Sequence, residues 1–392
     1  MEKEIKITFT GDAFLGNNIV NKFLSNNYSF DLAYRSIKNI FNESDYVVCN
    51  LETPLSIDNN DYDKGKYVFC SPLDFAKSLK NAGVDCFTLA NNHCLDNGTL
   101  GIKKTIECLK EIKADYTGLQ LDENDKYLIK EIDGLKIGIY SCTYGTNAFN
   151  NGIYLSDKEK NMVNLLQEQE LNNKALRYIY KSNFIVFKAI RKIFKKLKMF
   201  QFNREVYDRF ESNSKIIKRV KQDIDFLNNN CDFVFVCMHD GSQNNIIPSK
   251  RFIKNASMFS SLKVNAIIGN HEHVIQKIDK INKTTTAYCL GNFTSPQGVT
   301  EEPFDKKCEY SILFNIYIDV ETKTISKYSF NILKQTLKKN DKMEYIDVDL
   351  LYNIYNEEVS EKVKNEILNV NKYFVKIITG KNIKEIKAEY YL

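Results

Sequence analysis

Only four histidines occur in the 392 residues, His93, His239, His271 and His273, and each follows a short apolar run of strand-like composition. Open α/β sheets gather ligands beyond the carboxyl ends of their strands, so side chains at such ends converge even when distant in the chain. Two further strand ends carry hard oxygen donors, Asp12 in Thr10-Gly11-Asp12 and Glu52 in Asn50-Leu51-Glu52, and a third ends in Asn91-Asn92-His93. Carboxylates, an amide oxygen and imidazoles together suit zinc, manganese or iron. Thiolate ligation is not expected, because the ten cysteines form no Cys-x-x-Cys pair. His271 and His273 flank Glu272, and on extended backbone alternate residues share a face, so both imidazoles are expected to reach one centre. A bridging carboxylate such as Glu52 could hold two ions about 3.5–4 Å apart, the spacing at which paired metals clamp attacking and leaving oxygens. Each residue alone has a plainer reading: Asp12, Asn91, Asn92 and Asn292 are common turn or cap residues. The joint placement of all four histidines favours a two-metal hydrolytic centre. Cys94 reads as an accidental neighbour of His93, since no feature of the sequence lowers its thiol pKa.

The elements that must position these residues are short and apolar. Strands are expected near 5–9, 46–49, 86–90, 136–141, 233–238, 266–268 and 287–290, each rich in Val, Ile, Phe or Tyr. Helices are expected between them. Ser71-Pro72 opens one with Leu73, Ala76 and Leu79, closed by Gly83, and Ile102, Ile106, Leu109 and Ile112 mark another. Alternating strand and helix gives an α/β fold with helices covering a central sheet. The metal-bearing domain is assigned to residues 1–155 and 226–335, split by a helical, basic insertion at 156–225. A helical extension is expected over 336–392, after strands at Tyr310–Ile318 and Thr324–Ile332 and a lysine-rich loop.

Within the insertion, residues 184–200 put Val186, Ile190, Ile193, Phe194 and Leu197 on one helical face. They also carry Lys188, Arg191, Lys192, Lys195, Lys196 and Lys198 without an acidic residue. Two explanations stand: a helix packed on its own domain, or an interfacial helix drawn to anionic lipid. Overall composition, 43% hydrophobic and 27% charged, argues against disorder and against a membrane-embedded fold. The first strand begins almost at once and no apolar run reaches the length of a spanning helix, so a cytoplasmic protein is expected, peripheral at the inner membrane face only under the interfacial reading of 184–200. A net charge of +5 is too small to favour nucleic acid as a partner.

Six motifs in order, Thr10-Gly11-Asp12, Asn50-Leu51-Glu52, Asn91-Asn92-His93 with Asp96 and Gly98, His239-Asp240-Gly241, His271-Glu272-His273-Val274 and Leu290-Gly291-Asn292-Phe293, resemble the CapA-like poly-γ-glutamate capsule synthesis proteins. That family is itself similar to calcineurin-like metallophosphatases. The resemblance spans roughly 5–300 and implies a four-layer α/β/β/α sandwich with a helical insertion. It implies that Asp12 and His273 hold one divalent ion, that Asn92, His239 and His271 hold the other, and that Glu52 bridges them. His93 would protonate a leaving group and Asp96 would orient it. The chain departs from the family pattern at Asp240, where tryptophan is usual, at Gln243, where glutamate is usual, and at Glu272, where proline is usual. Phe14 stands where phosphatases carry a further histidine. The activity implied is hydrolysis of phosphoester or γ-glutamyl and related amide bonds in capsule or extracellular polymer production, on a polymer or phosphoester substrate. The alternative is a non-catalytic metal-binding component of a polymer synthesis or export complex.

Overall fold

The apolar alternation at the start of the chain forms strand β1 (Glu4–Ala13), buried at every residue after Glu4. A strand covered on both faces needs neighbours above and below as well as beside it. In the computed structural model, residues 3–62, 68–122, 126–169, 184–196, 214–299 and 307–392 are described, with positions 174, 178 and 182. The further strands are β2 (Tyr46–Leu51), β3 (Cys86–Thr88), β4 (Asp115–Thr117), β5 (Leu128–Ile132), β6 (Leu135–Thr143), β7 (Phe233–His239) and β8 (Ala266–Asn270). They continue with β9 (Ile278–Ile281), β10 (Thr284–Ala287), β11 (Asn292–Thr294), β12 (Tyr310–Asp319), β13 (Thr324–Asn340), β14 (Met343–Leu350) and β15 (Tyr390–Tyr391). The helices of six residues or more are α1 (Asn17–Leu24), α2 (Arg35–Phe41), α3 (Leu73–Ala82), α4 (Gly98–Glu111), α5 (Ile185–Lys196), α6 (Ser214–Asn230), α7 (Lys250–Ser261), α8 (Leu351–Asn356) and α9 (Glu361–Thr379).

Two large sheets result among the described residues, beside a short two-stranded ladder of Leu55–Ser56 with Ser71–Pro72. One runs β14-β13-β12-β1-β2-β3-β4, with β11 beside β1 and β15 beside β13, and the other runs β9-β10-β8-β7-β6-β5. Strands β1 to β4 are parallel, as are β6, β7, β8 and β10, so each sheet gathers the carboxyl ends of its central strands along one edge. Between the sheets lies one core, with Ile5, Ile7, Phe9 and Val48 facing Ile139, Phe235 and Ile268. Helices α1 to α4 cover the outer face of the first sheet through Ile19, Ile37, Leu79 and Ile106. On the second sheet, α6 and α7 do the same through Val220, Ile224, Phe252 and Phe259. The four-layer α/β/β/α sandwich implied by the resemblance is the observed architecture.

Three stretches differ from the sequence reading. The lysine-rich loop is strand: β13 continues to Asn340 and returns as β14, paired from Leu333↔Leu350 to Asn340↔Met343. Its lysines sit at the exposed end of the ribbon, and Asp341 takes φ 49° in the two-residue turn, a conformation that suits hairpin turns. Consequently 336–392 is not a helical extension throughout. Its helices begin only at Leu351, because Asp347–Leu350 complete β14 and the last strand returns to β13. The strand expected at 287–290 is shifted back to Thr284–Ala287, where three consecutive threonines supply the β-branched run. Of residues 184–200, the helix α5 covers 185–196, and 197–200 lie outside the described residues.

Close approach of β11 to β1 depends on Gly11. A Cβ there would stand 1.9 Å from the Gly291 carbonyl oxygen, and the Asp12 N–H donates to that same oxygen at 2.9 Å. Gly11→Ala must therefore push the two strands apart, and overpacking of this kind typically costs about 1–3 kcal/mol. The expected outcome is a lower urea midpoint with an unchanged m-value; an unchanged midpoint would show that β11 retreats freely.

Candidate metal centre

Each proposed ligand is delivered by a strand end. The register between β1 and β2 shifts between Phe9 and Asp12, a bulge that resets where Asp12 falls, and Asp12 then pairs with Asn50. Asn50 Nδ2 donates to Asp12 Oδ1 at 2.7 Å, which holds that carboxylate. The Asn91 side chain donates to the Leu51 carbonyl at 2.8 Å and its Oδ1 accepts from the His93 N–H at 3.1 Å, fastening the loop after β3 to the end of β2. In the second sheet His239 is the last residue of β7, opposite Asn270 of β8. His271 and His273 are not on extended backbone, as the sequence reading expected. Their φ values are 113° and 60°, so a tight left-handed turn, rather than strand alternation, aims both rings inward.

The turn sends the two rings to different places. Around His239 Nε2 lie Asn92 Oδ1 at 2.7 Å, Glu52 Oε1 at 3.2 Å and His271 Nδ1 at 3.2 Å. Around His273 Nδ1 lie Asp12 Oδ2 at 3.2 Å and Glu52 Oε2 at 3.7 Å, with Asn292 Oδ1 at 2.9 Å. An imidazole N–H carries one hydrogen, so neither nitrogen can satisfy all the lone pairs facing it. Glu52 is fully buried and neither of its carboxylate oxygens has a hydrogen-bond partner. A buried, unpartnered carboxylate between two convergent sets of nitrogen and oxygen donors fits divalent cations.

Electrostatics follow the same division. Burial alone would raise Asp12, but the hydrogen bond with His273 and the charges of His239 and His273 hold it below the ordinary carboxylate range. Burial lowers His273, yet the Glu52 charge and the Asp12 hydrogen bond outweigh it and raise this histidine to about 9. Burial, then the charges of His239 and His273, push His271 well below the ordinary value, which keeps its ring neutral and able to ligate.

Beside the centre, His93 Nδ1 meets Asp96 Oδ2 at 2.7 Å. Burial lowers the His93 pKa, but the charge and hydrogen bond of Asp96 reverse the shift and raise it. Asp96 is itself held by the Phe69 N–H at 2.7 Å and by Asn151 Nδ2 at 2.6 Å. Phe69 stacks on His93 and on Phe14, with centroids 4.3 Å and 5.1 Å apart, and Phe14 packs on His273. Cys94 is inert, since burial pushes its thiol up to about 12.

Sequence reasoning missed the neighbourhood of the departures Asp240 and Glu272. Arg251 on α7 bonds Asp240 Oδ1 at 2.6 Å and lies 4.4 Å over the Tyr144 ring, which in turn packs on His271. Glu272 is fully buried; burial, then the Asp240 charge, raise its carboxyl well above the usual range. A Cβ on Gly241 would lie 1.9 Å from Glu272 Oε1, so glycine is needed there. Asp240 and Glu272 offered a signal, two acids at positions unusual for the family pattern, but their partner Arg251 is on a separate helix.

Residues 6–297 match the family described as bacterial capsule synthesis protein PGA_cap. The chain belongs to this family. It is 25% identical over 346 residues to the capsule biosynthesis protein CapA of Bacillus anthracis, covering 86% of this chain and 72% of that protein. To the PGA biosynthesis protein CapA of Bacillus subtilis (strain 168) it is 23% identical over 314 residues, 79% of this chain and 68% of the relative. Among solved structures it is similar to a novel phosphatase from Mycoplasma pneumoniae, at 17% identity and a TM-score of 0.43, covering 89% of this chain and 96% of the other.

The two roles drawn by the geometry can be separated by mutation. His271→Ala should lose metal, whereas His93→Ala should keep wild-type metal content and lose catalysis, a general acid contributing about 10²–10⁴-fold. Elemental analysis of the two purified variants makes the comparison; equal metal loss in both would place His93 among the ligands.

Proposed function

We propose that the protein is a metal-dependent hydrolase that cleaves phosphoester or γ-glutamyl and related amide bonds in the production of a capsular or extracellular polymer. The observation that carries this reading is Glu52, buried without a hydrogen-bond partner and presenting one oxygen to each of two donor clusters, with an ion-paired histidine alongside. Bound divalent ions would supply Lewis acidity and make water nucleophilic near neutral pH. The chain's own residues do the rest. Asp12, Asn92, His239, His271 and His273 would hold the ions, and Asn50 fixes Asp12. Asp96 occupies His93 Nδ1, which leaves Nε2 as the atom that can pass a proton to the departing oxygen or nitrogen. The raised pKa of His93 keeps that proton available closer to neutrality. Phe69, backed by Phe14, packs on one face of the His93 ring and restricts its rotation.

Membership of a capsule synthesis family and the names of the two Bacillus relatives support a polymer pathway as the setting. Helix α5 supports a peripheral site of action. Its neighbourhood exposes Phe184 (67%), Ile185 (82%), Val186 (63%) and Ile193 (54%), so these side chains do not face a core, and Lys188 and Lys192 are exposed with them. No described helix is long and apolar enough to cross a membrane. An exposed apolar stripe beside unopposed lysines suits the surface of an anionic bilayer, at the inner face of the membrane, where each basic residue contributes on the order of 1 kcal/mol.

Two measurements test these readings. Protein reconstituted with Mn²⁺, Zn²⁺ or Fe²⁺ should carry about two ions per chain and hydrolyse a generic phosphodiester or a γ-glutamyl peptide. Two bound ions without activity on either class would instead favour the non-catalytic component, and no bound ion would overturn both. In vesicle sedimentation, the protein should partition onto anionic vesicles at low salt and release as salt rises; equal partition onto neutral and anionic vesicles would remove the lipid-contact reading.

A further inference from the structure

The cluster around His273 is one ligand poorer than its neighbour if only the residues implied by the family resemblance are counted. The focus at His239 gathers four donor atoms, His239 Nε2, Asn92 Oδ1, His271 Nδ1 and Glu52 Oε1. The focus at His273 gathers His273 Nδ1, Asp12 Oδ2 and Glu52 Oε2. Phe14, standing where phosphatases carry a further histidine, packs an apolar ring on His273 and can ligate nothing.

We propose that Asn292 is the fourth protein ligand of this second ion, so that two amide oxygens, Asn92 and Asn292, play equivalent parts in the two halves of the centre. Four observations support the assignment. Asn292 is fully buried, and its Oδ1 lies 2.9 Å from His273 Nδ1, a close approach of the same kind as that of Asn92 Oδ1 to His239 Nε2. The amide cannot flip at no cost, because Nδ2 donates to the Cys308 carbonyl at 3.1 Å, which leaves Oδ1 facing inward. The backbone is held as well: Gln335 Nε2 donates to the Asn292 carbonyl at 2.9 Å, and Gln335 Oε1 accepts from the Ser295 N–H at 2.7 Å. Finally, the parallel pairing of β1 with β11 places Asn292 beside Asp12, a register made possible by the missing Cβ at Gly11.

The competing role for Asn292 is a simple acceptor for a protonated His273. Three oxygens face His273 Nδ1, Asn292 Oδ1 at 2.9 Å, Asp12 Oδ2 at 3.2 Å and Glu52 Oε2 at 3.7 Å, and its single hydrogen cannot serve them all. An ion at that point accepts all four lone pairs together. The chemistry of this donor set, oxygen-rich with one imidazole, favours a harder ion such as Mn²⁺ over the ion at the histidine-rich focus.

The inference rests on the metal-centre reading, and the experiment keeps the two apart. Full-length protein stripped with chelator is titrated with Mn²⁺, and bound metal is counted after desalting. Wild type should bind two ions. Asn292→Ala should keep one at wild-type affinity and weaken the other by at least about 10-fold, while Asn92→Ala weakens the opposite ion. Asn292→Asp, which retains an oxygen donor, should bind two again, and its Co²⁺-loaded form should show shifted visible bands because the ligand atom has changed from amide to carboxylate. Two ions at wild-type affinity in Asn292→Ala would overturn the assignment while leaving the metal centre standing. So would a wild type that binds only one ion. No ion bound by wild type would overturn the metal centre itself. If the alanine variant does not fold, the Asn292→Asp bands decide: bands identical to wild type would show that residue 292 does not touch the ion.

Discussion

A carboxylate with no exposure to water and no hydrogen-bond donor is a heavy constraint on any fold. Glu52 is in that position at the meeting of the two sheets. Burying an unpaired charge costs several kcal/mol even after relaxation, and the usual escapes are protonation, an ion pair or a metal. His239 and His273 nitrogens 3.2 and 3.7 Å away offer the second, and the grouping of donors is compatible with the third. The two carboxylate oxygens face separate sets of donors, and the donors come from both sheets. Much of the local architecture reads as support for this point: the bulge in β1, the Asn91 staple, the left-handed turn at His271 and His273, and the close packing of Gly11 on Gly291.

The strands and the residues at their ends were largely legible in the sequence because buried parallel strands read as short apolar runs, whatever their partners. The helices α3 and α4 were legible for a similar reason, a strong apolar periodicity with a clear stop at Gly83 or beyond Leu109. What was not legible depended on pairing. The lysines of 334–342 look like a loop until β14 supplies hydrogen-bond partners across the ribbon, and three-residue strands such as β4 have too few residues to show a period. At the site, residue types could be read from spacing, but their partition came only from the family resemblance. Alternation suggested one shared centre for His271 and His273, while the positive φ values that divide them between two foci leave no mark on side-chain chemistry. Phe69, Asn151 and Arg251 escaped notice because each reaches the site from an otherwise ordinary segment distant in sequence from the residue it meets.

Two of the departures from the family pattern, Asp240 and Glu272, share one corner. Asp240 and Glu272 replace residues that would ordinarily be bulky or rigid, and the structure sets them side by side with Arg251 bonded to Asp240 and Gly241. Glu272 lies between two proposed ligands, His271 and His273, yet its carboxyl is turned toward Gly241 and Gln276 rather than into the ion cluster. The substitution therefore changes the wall next to the centre and leaves the ligand atoms in place.

The origin of the ligands has a mechanical consequence. Asp12, Glu52 and Asn92 are carried by the first sheet, and His239, His271 and His273 by the second. An ion held by both sets, as proposed, would be a clasp across the seam of the sandwich, and it could form only when both sheets are already docked. Whatever binds the native form alone adds to its stability in proportion to the logarithm of its concentration, about 2.7 kcal/mol at a hundredfold excess over the dissociation constant. With the proposed centre loaded, the resistance of this protein to heat and to proteases would follow the supply of metal around it, so that a cell starved of that metal would hold fewer intact copies as well as fewer loaded ones.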